Sequence, residues 1–209
     1  MTDVLHPTDD QLDESTIDRN PISLFQRWFR EAQQAQLPLA EAMTLATVNA
    51  EGRPAARMVL LKQVDDDGFV FFTNYNSAKA VQLDNNNSAA LVFHWTTMER
   101  QVRVEGHVVK TSAEESNAYF RSRPRESQIG AWASPQSEVI DGRSILEERK
   151  AEFEEKYRNR PVDCPPYWGG YRLIPDRIEF WKGRSGRLHD RIVYERNDDR
   201  AWTIQRLAP

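Results

Sequence analysis

The stretch GRSGRLHDR, at residues 183–191, concentrates side chains that could bind an anion. It holds three arginines and one histidine, although the whole chain carries 32 acidic against 28 basic residues and a net charge of −4. If residues 187–191 are extended, Arg187, His189 and Arg191 project from one side of the strand. A solvated hairpin loop is the alternative, because Gly-Arg-Ser-Gly is typical of turns. Three such groups on one face favour a binding role.

A second candidate for anion binding lies in the stretch SRPRESQIGAW, at residues 122–132. Arg123 and Arg125 flank a proline, and arginine forks match the oxygens of a phosphate group. Ser127 adds a hydroxyl donor, and Tyr119 lies one helical turn before Arg123. The pattern is equally typical of an exposed helix C-terminus, where the helix dipole favours arginine.

A third candidate is RMVLLK, at residues 57–62, in which two cations bracket an apolar strand. Strand alternation places Arg57 and Lys62 on opposite faces unless a bulge intervenes. The spacing alone favours an ordinary strand with charged ends. The functional alternative is a strand that runs beside a flat ligand, with each cation serving a separate anion.

Motifs for several other chemistries are absent. The sequence has no Gly-x-Gly-x-x-Gly, no P-loop, no His-Glu-x-x-His and no paired Cys-x-x-Cys. The four histidines, His6, His94, His107 and His189, lie far apart. We therefore expect neither a metal site nor a P-loop nucleotide enzyme.

Composition limits the class of protein. The 209 residues are 39% hydrophobic and 29% charged, which is typical of one globular domain. A pI near 5.7 argues against a surface that binds nucleic acid, and no apolar run is long enough to span a membrane. The single cysteine, Cys164, excludes a disulfide within the chain and fits the cytoplasm. We expect residues 1–20 to form a disordered acidic tail and 21–209 a single domain.

Hydrophobic periodicity and turn residues predict the elements that would position these side chains. Helices are predicted over residues 21–37, 78–84, 111–123 and 142–160. Strands are predicted over residues 43–49, 57–64, 69–73, 88–95, 100–110, 178–182, 189–196 and 202–207. Short strands at hairpin spacing, with helices between them, indicate an α+β fold built on an antiparallel β-barrel.

Taken together and in order, the motifs resemble the pyridoxine/pyridoxamine 5′-phosphate oxidase family. They are RMVLLK, FTNxxSxKA, ERQVxxEG, SRPRESQIGAW, WGG, EFW, RLHDR and the terminal RLAP, spread over residues 21–209. The resemblance implies an FMN-binding split β-barrel and a homodimer with FMN at the subunit interface. It also implies oxidation of pyridoxine or pyridoxamine 5′-phosphate to pyridoxal 5′-phosphate, with dioxygen reduced to hydrogen peroxide.

The resemblance also assigns roles to individual residues. Arg57 and Lys79 would hold the FMN phosphate, and Gln136 and Ser137 would reach FMN from the partner chain. The full set implied for FMN is Arg57, Met58, Val59, Leu60, Leu61, Lys62, Phe72, Thr73, Lys79, Gln101, Gln136, Ser137, Trp181 and Arg191. The set implied for substrate is Lys62, Tyr119, Arg123, Ser127, Arg187, Leu188 and His189, with Arg187 and His189 as the catalytic residues.

Two positions match no family site. Ala78 stands where the family often has an arginine that contacts the FMN phosphate, so phosphate binding would be weaker or would use another cation. Arg184 has no counterpart among the family's site residues, and we expect it to be solvated. Two alternative functions remain: a related flavin oxidase of another small aromatic compound, or a non-catalytic protein that binds flavin or pyridoxal phosphate. The phosphate-binding set speaks against the first of these.

Overall fold

The computed structural model describes residues 11–199 and 201–209, and its centre is a curled antiparallel sheet. The helices are α1 (Pro21–Gln34), α2 (Ala78–Asn85), α3 (Ala113–Ser122), α4 (Arg125–Ala133) and α5 (Arg143–Lys156). The strands are β1 (Ala42–Val48), β2 (Pro54–Leu60), β3 (Gln63–Asp65), β4 (Gly68–Asn74), β5 (Ser88–Trp95), β6 (Arg100–Lys110), β7 (Trp168–Lys182), β8 (Asp190–Arg196) and β9 (Trp202–Arg206). Within the described ranges, no helix is long and apolar enough to cross a membrane. The predicted α+β antiparallel fold is confirmed.

The two edges of the sheet meet at residues 61 and 62, where the chain passes from β2 to β3. The sequence did not predict this interruption of the strand. Neighbouring strands follow the order β2-β1-β5-β6-β7-β4-β3, with β8 paired to β7 and β9 paired to β8. The predicted strand over residues 57–64 is therefore two strands at opposite ends of this path. At the break, the Leu61 amide donates to the Glu41 carbonyl at 2.9 Å and the Lys62 amide donates to the Val70 carbonyl at 2.8 Å. These bonds draw the two edges together and close the barrel.

Helix α1 fills the barrel interior. Its start is fixed by Asn20, whose side chain accepts a hydrogen bond from the Ile22 amide at 2.8 Å. The ring of Phe25 lies 4.8 Å from that of Phe69, and both residues are fully buried. The apolar face predicted from helical spacing therefore packs into the core, although the helix ends at Gln34 rather than at residue 37.

A second, smaller core holds helices α3, α4 and α5 against the start of β7. Helix α4 was not predicted as a separate element, since its sequence resembles the end of the preceding helix. Pro124 interrupts that helix and α4 begins immediately after it, as proline favours. Arg125 then donates to the Tyr157 and Arg160 carbonyls at the C-terminal end of α5, at 2.5 and 3.2 Å.

Strand β7 is also longer than predicted. It runs for 15 residues, whereas the sequence indicated a strand only over residues 178–182, because glycines and Pro175 precede it. The proline pairs with Gly106 of β6 beside a bulge on β7, where Asp176 is the extra residue between the pairs Glu105–Arg177 and Gly106–Pro175. A Cβ at Gly106 would lie 2.1 Å from the Ile174 carbonyl oxygen, so only glycine allows this approach.

The N-terminal segment lies partly within the described residues. Residues 1–10 lie outside them, and residues 11–20 pack against the barrel. Leu12 and Ile17 are buried, and the Tyr194 hydroxyl donates to the Asp18 carbonyl at 2.6 Å. This arrangement of residues 11–20 differs from the disordered tail expected over residues 1–20, because the segment supplies apolar side chains that the core covers.

Candidate active site

A cavity of about 680 Å³ opens between β2, the end of β4 and helices α3 and α4. It is a size that suits a cofactor or small ligand. The residues assigned from sequence that line it are Met58, Val59, Leu60, Lys62, Phe72, Thr73, Lys79, Tyr119, Arg123, Ser127 and Gln136. The structure therefore brings together most of the expected site residues that lie between positions 57 and 137.

Lys79 lines this cavity, and Arg57 lies behind it, outside the lining, with no carboxylate paired to either cation among the described residues. Arg57 donates to the Gln82 side chain at 2.9 Å, and the Lys79 ammonium donates to Thr73 and Gln136 at 3.1 and 3.0 Å. Burial lowers the pKa of both cations, and the charge of Arg57 further lowers the pKa of Lys79. Among the residues that the structure describes, neither forms an ion pair. Half-buried cations that hold only neutral partners favour an anionic ligand.

Gln136 and Ser137 belong to this cation group within the same chain. The Gln136 side-chain oxygen accepts from Lys79 of its own chain at 3.0 Å, so the structure places Gln136 beside this cation without a partner chain, whereas the resemblance implied an approach from the partner. Ser137 lines an adjoining cavity of about 380 Å³ with Ala78 and Gln82. Its φ of 76° is rare for a residue other than glycine, and such strain concentrates at functional positions.

Arg123 is a third cation, and it lies against an aromatic wall. The ring of Phe72 stacks on Tyr119 at 4.1 Å and on Trp168 at 5.4 Å. The Arg123 guanidinium lies 4.8 Å from the centre of the Trp168 ring, and burial lowers its pKa. One of its buried nitrogens has no hydrogen-bond partner anywhere in residues 11–199 and 201–209. Arg123 and Ser127 therefore place hydrogen-bond donors in the lining beside a flat apolar surface, an arrangement that would suit an anion.

A second group of expected site residues lies at the far end of β7. Gln101, Trp181 and Arg191 are directly opposite one another on β6, β7 and β8. The His189 ring lies 4.7 Å from the Trp181 ring. The sequence interpretation placed these side chains in one site, and the sheet register brings them into a single row.

The two groups lie at opposite ends of strand β7 within one chain. Phe72, in the cavity, pairs with Gly170 near the start of β7, whereas Trp181 lies near its end. At ~3.3 Å per residue, the strand between positions 170 and 181 is about 35 Å long when followed along its length. This separation favours a site that combines the two groups from two copies of the chain.

The loop before β8 differs from the extended strand expected over residues 187–191. Residues Ser185–Arg187 form a 3₁₀ turn, and β8 begins only at Asp190. Gly186 and Arg187 both have positive φ, 65° and 62°, so the chain reverses before the strand starts. Arg187 and Leu188 are exposed, the latter at 75%, and neither alternates on a strand face.

Sequence reasoning also missed the role of Arg184. Its guanidinium donates to Asp190 at 2.7 Å, and its backbone amide donates to His189 Nδ1 at 3.1 Å. The side chain is only 27% exposed, so the expectation that it is solvated is wrong. No short motif signals this contact, because the loop must fold back before the residues meet.

Comparisons with known proteins place the chain among characterised sequences. A family described as pyridoxamine 5′-phosphate oxidase matches residues 29–157, and a pyridoxine 5′-phosphate oxidase C-terminal dimerisation region matches residues 168–209. A protein from Paraburkholderia phymatum, named pyridoxine/pyridoxamine 5′-phosphate oxidase, is 59% identical over 95% of this chain and 93% of its own length. One of the same name from Acaryochloris marina is 56% identical over 94% of this chain and 89% of its own.

Two solved structures are similar to the fold. PhzG from Burkholderia lata 383, in complex with tetrahydrophenazine-1-carboxylic acid, has a TM-score of 0.90 and 30% identity and covers 96% of this chain and 98% of its own. A pyridoxamine 5′-phosphate oxidase-related, FMN-binding protein from Nostoc punctiforme has a TM-score of 0.74 at 21% identity. It covers 92% of this chain and 100% of its own, and shows the fold alone.

These findings confirm four expectations drawn from the sequence: the family, the split-barrel fold, an oxidoreductase and FMN as its cofactor. The match to a dimerisation region agrees with the separation of the two residue groups along β7. The chain belongs to the pyridoxamine 5′-phosphate oxidase family.

Proposed function

We propose that this FMN-dependent oxidoreductase converts pyridoxine or pyridoxamine 5′-phosphate to pyridoxal 5′-phosphate, with dioxygen reduced to hydrogen peroxide. The observation that carries the proposal is a cavity lined by two separate cations, Lys79 with Arg57 behind it, and Arg123, each of which would suit an anion. Two such positions match the two phosphates of cofactor and substrate. Vitamin B6 metabolism is the corresponding pathway, and the single thiol of Cys164 supports a cytoplasmic location.

The lining residues fit FMN. Arg57 and Lys79 would hold the phosphate, and Ala78 leaves these two cations without the third that the family often has. Met58 and Leu60 on β2 are 62% and 37% exposed and offer an apolar surface to the flavin ring. Leu61 is 5% exposed, with its side chain in the core, so only its backbone would lie along the ring. When bound, FMN supplies the two-electron acceptor chemistry.

The substrate would occupy the same cavity beside the aromatic wall. Arg123, Lys62 and Ser127 would bind its phosphate, and Tyr119 would pack against it. The phosphate is remote from the carbon that is oxidised. Its anchorage therefore acts by fixing that carbon and removing rotational freedom before reaction.

A second copy of the chain would complete each site. Its Gln101, Trp181 and Arg191 would contact the flavin from the other side, and the match to a dimerisation region supports this arrangement. Arg187 and His189 would then cover the pyridine ring. Their charge and hydrogen-bond donors would orient the substrate on the flavin.

A related oxidase reaction on another aromatic substrate is the second candidate. The similarity to PhzG, at a TM-score of 0.90, favours it. The cations Arg123 and Lys62 favour a phosphorylated substrate instead. The curated relatives at 54–59% identity are also named for the vitamin B6 phosphates.

Anaerobic reduction of the flavin tests the proposal directly. Purified protein should be yellow, and pyridoxamine 5′-phosphate should bleach it in the absence of oxygen. Admitting air should restore the colour and produce hydrogen peroxide. Bleaching by tetrahydrophenazine-1-carboxylic acid but not by either vitamin B6 phosphate would support the second candidate. A yellow protein that is bleached by none of these compounds would indicate a non-catalytic protein that binds flavin.

A further inference from the structure

The loop that carries Arg187 and His189 is held by the protein itself. It connects β7 to β8 and contains two consecutive residues with positive φ. At its start, the Gly183 amide donates to the Glu99 carbonyl at 2.8 Å. Such a conformation persists only where surrounding contacts determine it. At the other end of the loop, His189 and Asp190 both contact Arg184.

Arg184 holds the loop at two points. Its backbone amide donates to His189 Nδ1 at 3.1 Å, and its Nε donates to Asp190 Oδ2 at 2.7 Å. The two contacts join Arg184, just before the turn, to His189 and to Asp190, the first residue of β8. Arg187 lies between them, so its position depends on this closure.

The carboxylate of Asp190 is a fixed anchor for Arg184. Asp190 is 6% exposed, and its other oxygen accepts from Arg206 on β9 at 2.8 Å. Arg206 is in turn paired with Glu14 at 2.7 Å. Loss of Arg184 would therefore leave the buried carboxylate with one cationic partner, which limits the effect on folding.

The amide contact also determines where the proton of His189 resides. A backbone N–H can only donate, so Nδ1 must be the acceptor and carries no hydrogen in the neutral ring. The proton then lies on Nε2. The ring also packs against Trp181 at 4.7 Å, which restrains its plane. Nε2–H is thus available as a donor to a ligand.

We propose that Arg184 is a positioning residue that holds His189 as the Nε2–H tautomer and sets the conformation of the loop that carries Arg187. This inference rests on the proposed function, in which both residues face the substrate. Arg184 itself contacts neither cofactor nor substrate. It acts through the turn and through Asp190.

The test compares Arg184→Ala and Arg184→Lys with a matched control, Arg172→Ala, in the FMN-loaded dimer. Arg172 forms a half-buried pair with Asp65 on strands away from the loop. Arg184→Ala should lower kcat with pyridoxamine 5′-phosphate about tenfold to a hundredfold, because small misplacements of reacting groups reduce rates to this extent. The Kd for FMN should stay within about twofold. Arg184→Lys should recover part of kcat, and Arg172→Ala should leave it unchanged.

Nitrogen-15 NMR of the His189 ring gives a readout that needs no substrate. Where the His189 ring is neutral, the wild-type protein should show the Nε2–H tautomer. Arg184→Ala keeps the backbone amide but loses the Asp190 contact that holds it against Nδ1, so it should show exchange between tautomers. Wild-type kcat and an unaltered His189 spectrum in Arg184→Ala would overturn the inference. If the wild-type protein lacks oxidase activity but the spectra change as expected, the proposed function fails and the positioning role stands. Should the alanine variant not fold, the lysine variant provides the same two readouts.

Discussion

At the scale of single residues, Arg123 and Arg125 show how far two neighbouring arginines can diverge. Sequence spacing treated them alike, either as forks for one phosphate or as cations at a helix end. Pro124 separates them into two elements, so Arg123 faces the cavity and Arg125 faces the end of α5. The pair therefore offers a substitution and its own control.

Replacing Arg123 with alanine should raise the KM for pyridoxamine 5′-phosphate about tenfold to a hundredfold. The reason is the loss of a charge-assisted contact worth about 1.5–3 kcal/mol to the substrate phosphate. Steady-state kinetics on the FMN-saturated enzyme measures this change. Unphosphorylated pyridoxamine, which has no phosphate to lose, should show a much smaller difference between variant and wild type.

Arg125→Ala is the matched control. It removes hydrogen bonds to the Tyr157 and Arg160 carbonyls, so it should lower the melting temperature and leave KM unchanged. An equal rise in KM for both variants would show that Arg123 acts through folding rather than through substrate contact.

The sequence predicted residue types at the site better than residue environments. The motif resemblance identified His189 and Arg187, and the structure places both in one loop. The motif resemblance did not identify Arg184, because its partners His189 and Asp190 approach it only after the turn has formed. Strand alternation failed at Arg187 since positive φ replaces the extended backbone there.

At the scale of elements, periodicity predicted β5 and β6 at their observed bounds because each alternates buried and exposed residues over most of its length. It merged β2 with β3, since the break at Leu61 and Lys62 depends on hydrogen bonds to two different strands. It shortened β7 because local sequence cannot show that a bulge at Asp176 accommodates Pro175 within the strand. Pairing partners, rather than local propensity, decided these boundaries.

Gly106→Ala tests that bulge. A Cβ there would lie 2.1 Å from the Ile174 carbonyl oxygen, so β6 and β7 would have to separate. We expect the free energy of unfolding to fall by about 1–3 kcal/mol, as other overpacked sites do. Urea unfolding measures it, and Gly142→Ala in the α4–α5 connection, where the nearest side-chain atom is 3.9 Å away, provides the control. Equal stability of the two variants would contradict the tight approach.

At the scale of the whole molecule, the outer face of β6, β7 and β8 carries an ion-pair network centred on Glu179. This carboxylate is 2% exposed and contacts Arg191 at 2.9 Å and both Arg103 and Arg177 at 3.4 Å. Burial by itself would raise the pKa of Glu179, but the hydrogen bond and charge of Arg191 and the charges of the other arginines outweigh it and lower the pKa.

The direction of this shift sets the pH dependence of stability. Because the folded pKa lies below the ordinary glutamate value of 4.5, the ionised carboxylate stabilises the fold above about that pH. The contribution is lost as pH falls through the folded pKa. Urea unfolding from about pH 7 to about pH 3 should show this loss, and Glu179→Gln should flatten that part of the curve. A parallel decline in both proteins would exclude Glu179 as its source.

The two groups of site residues lead to a prediction about the assembled protein. Arg123 belongs to the cavity group and Arg187 to the group at the far end of β7, and one chain separates these groups by about 35 Å along the strand. If each site combines the cavity of one chain with the loop of its partner, Arg123→Ala and Arg187→Leu damage different halves. A mixed dimer would then contain one intact site and one site with both defects.

Mixing the two impaired variants under conditions that exchange subunits should therefore restore activity, measured at a pyridoxamine 5′-phosphate concentration far below the raised KM of Arg123→Ala. Random pairing makes half of the dimers mixed, and half of their sites are intact, so about a quarter of wild-type turnover should return. Mixing Arg123→Ala with Lys62→Ala should restore no activity. Both substitutions lie in the cavity, so every site of the mixed dimer carries one of them. Activity that stays at the level of the separate variants would mean that each chain forms its site alone. The separation of the two groups along β7 argues against that outcome, because one small ligand would have to reach both ends of the strand.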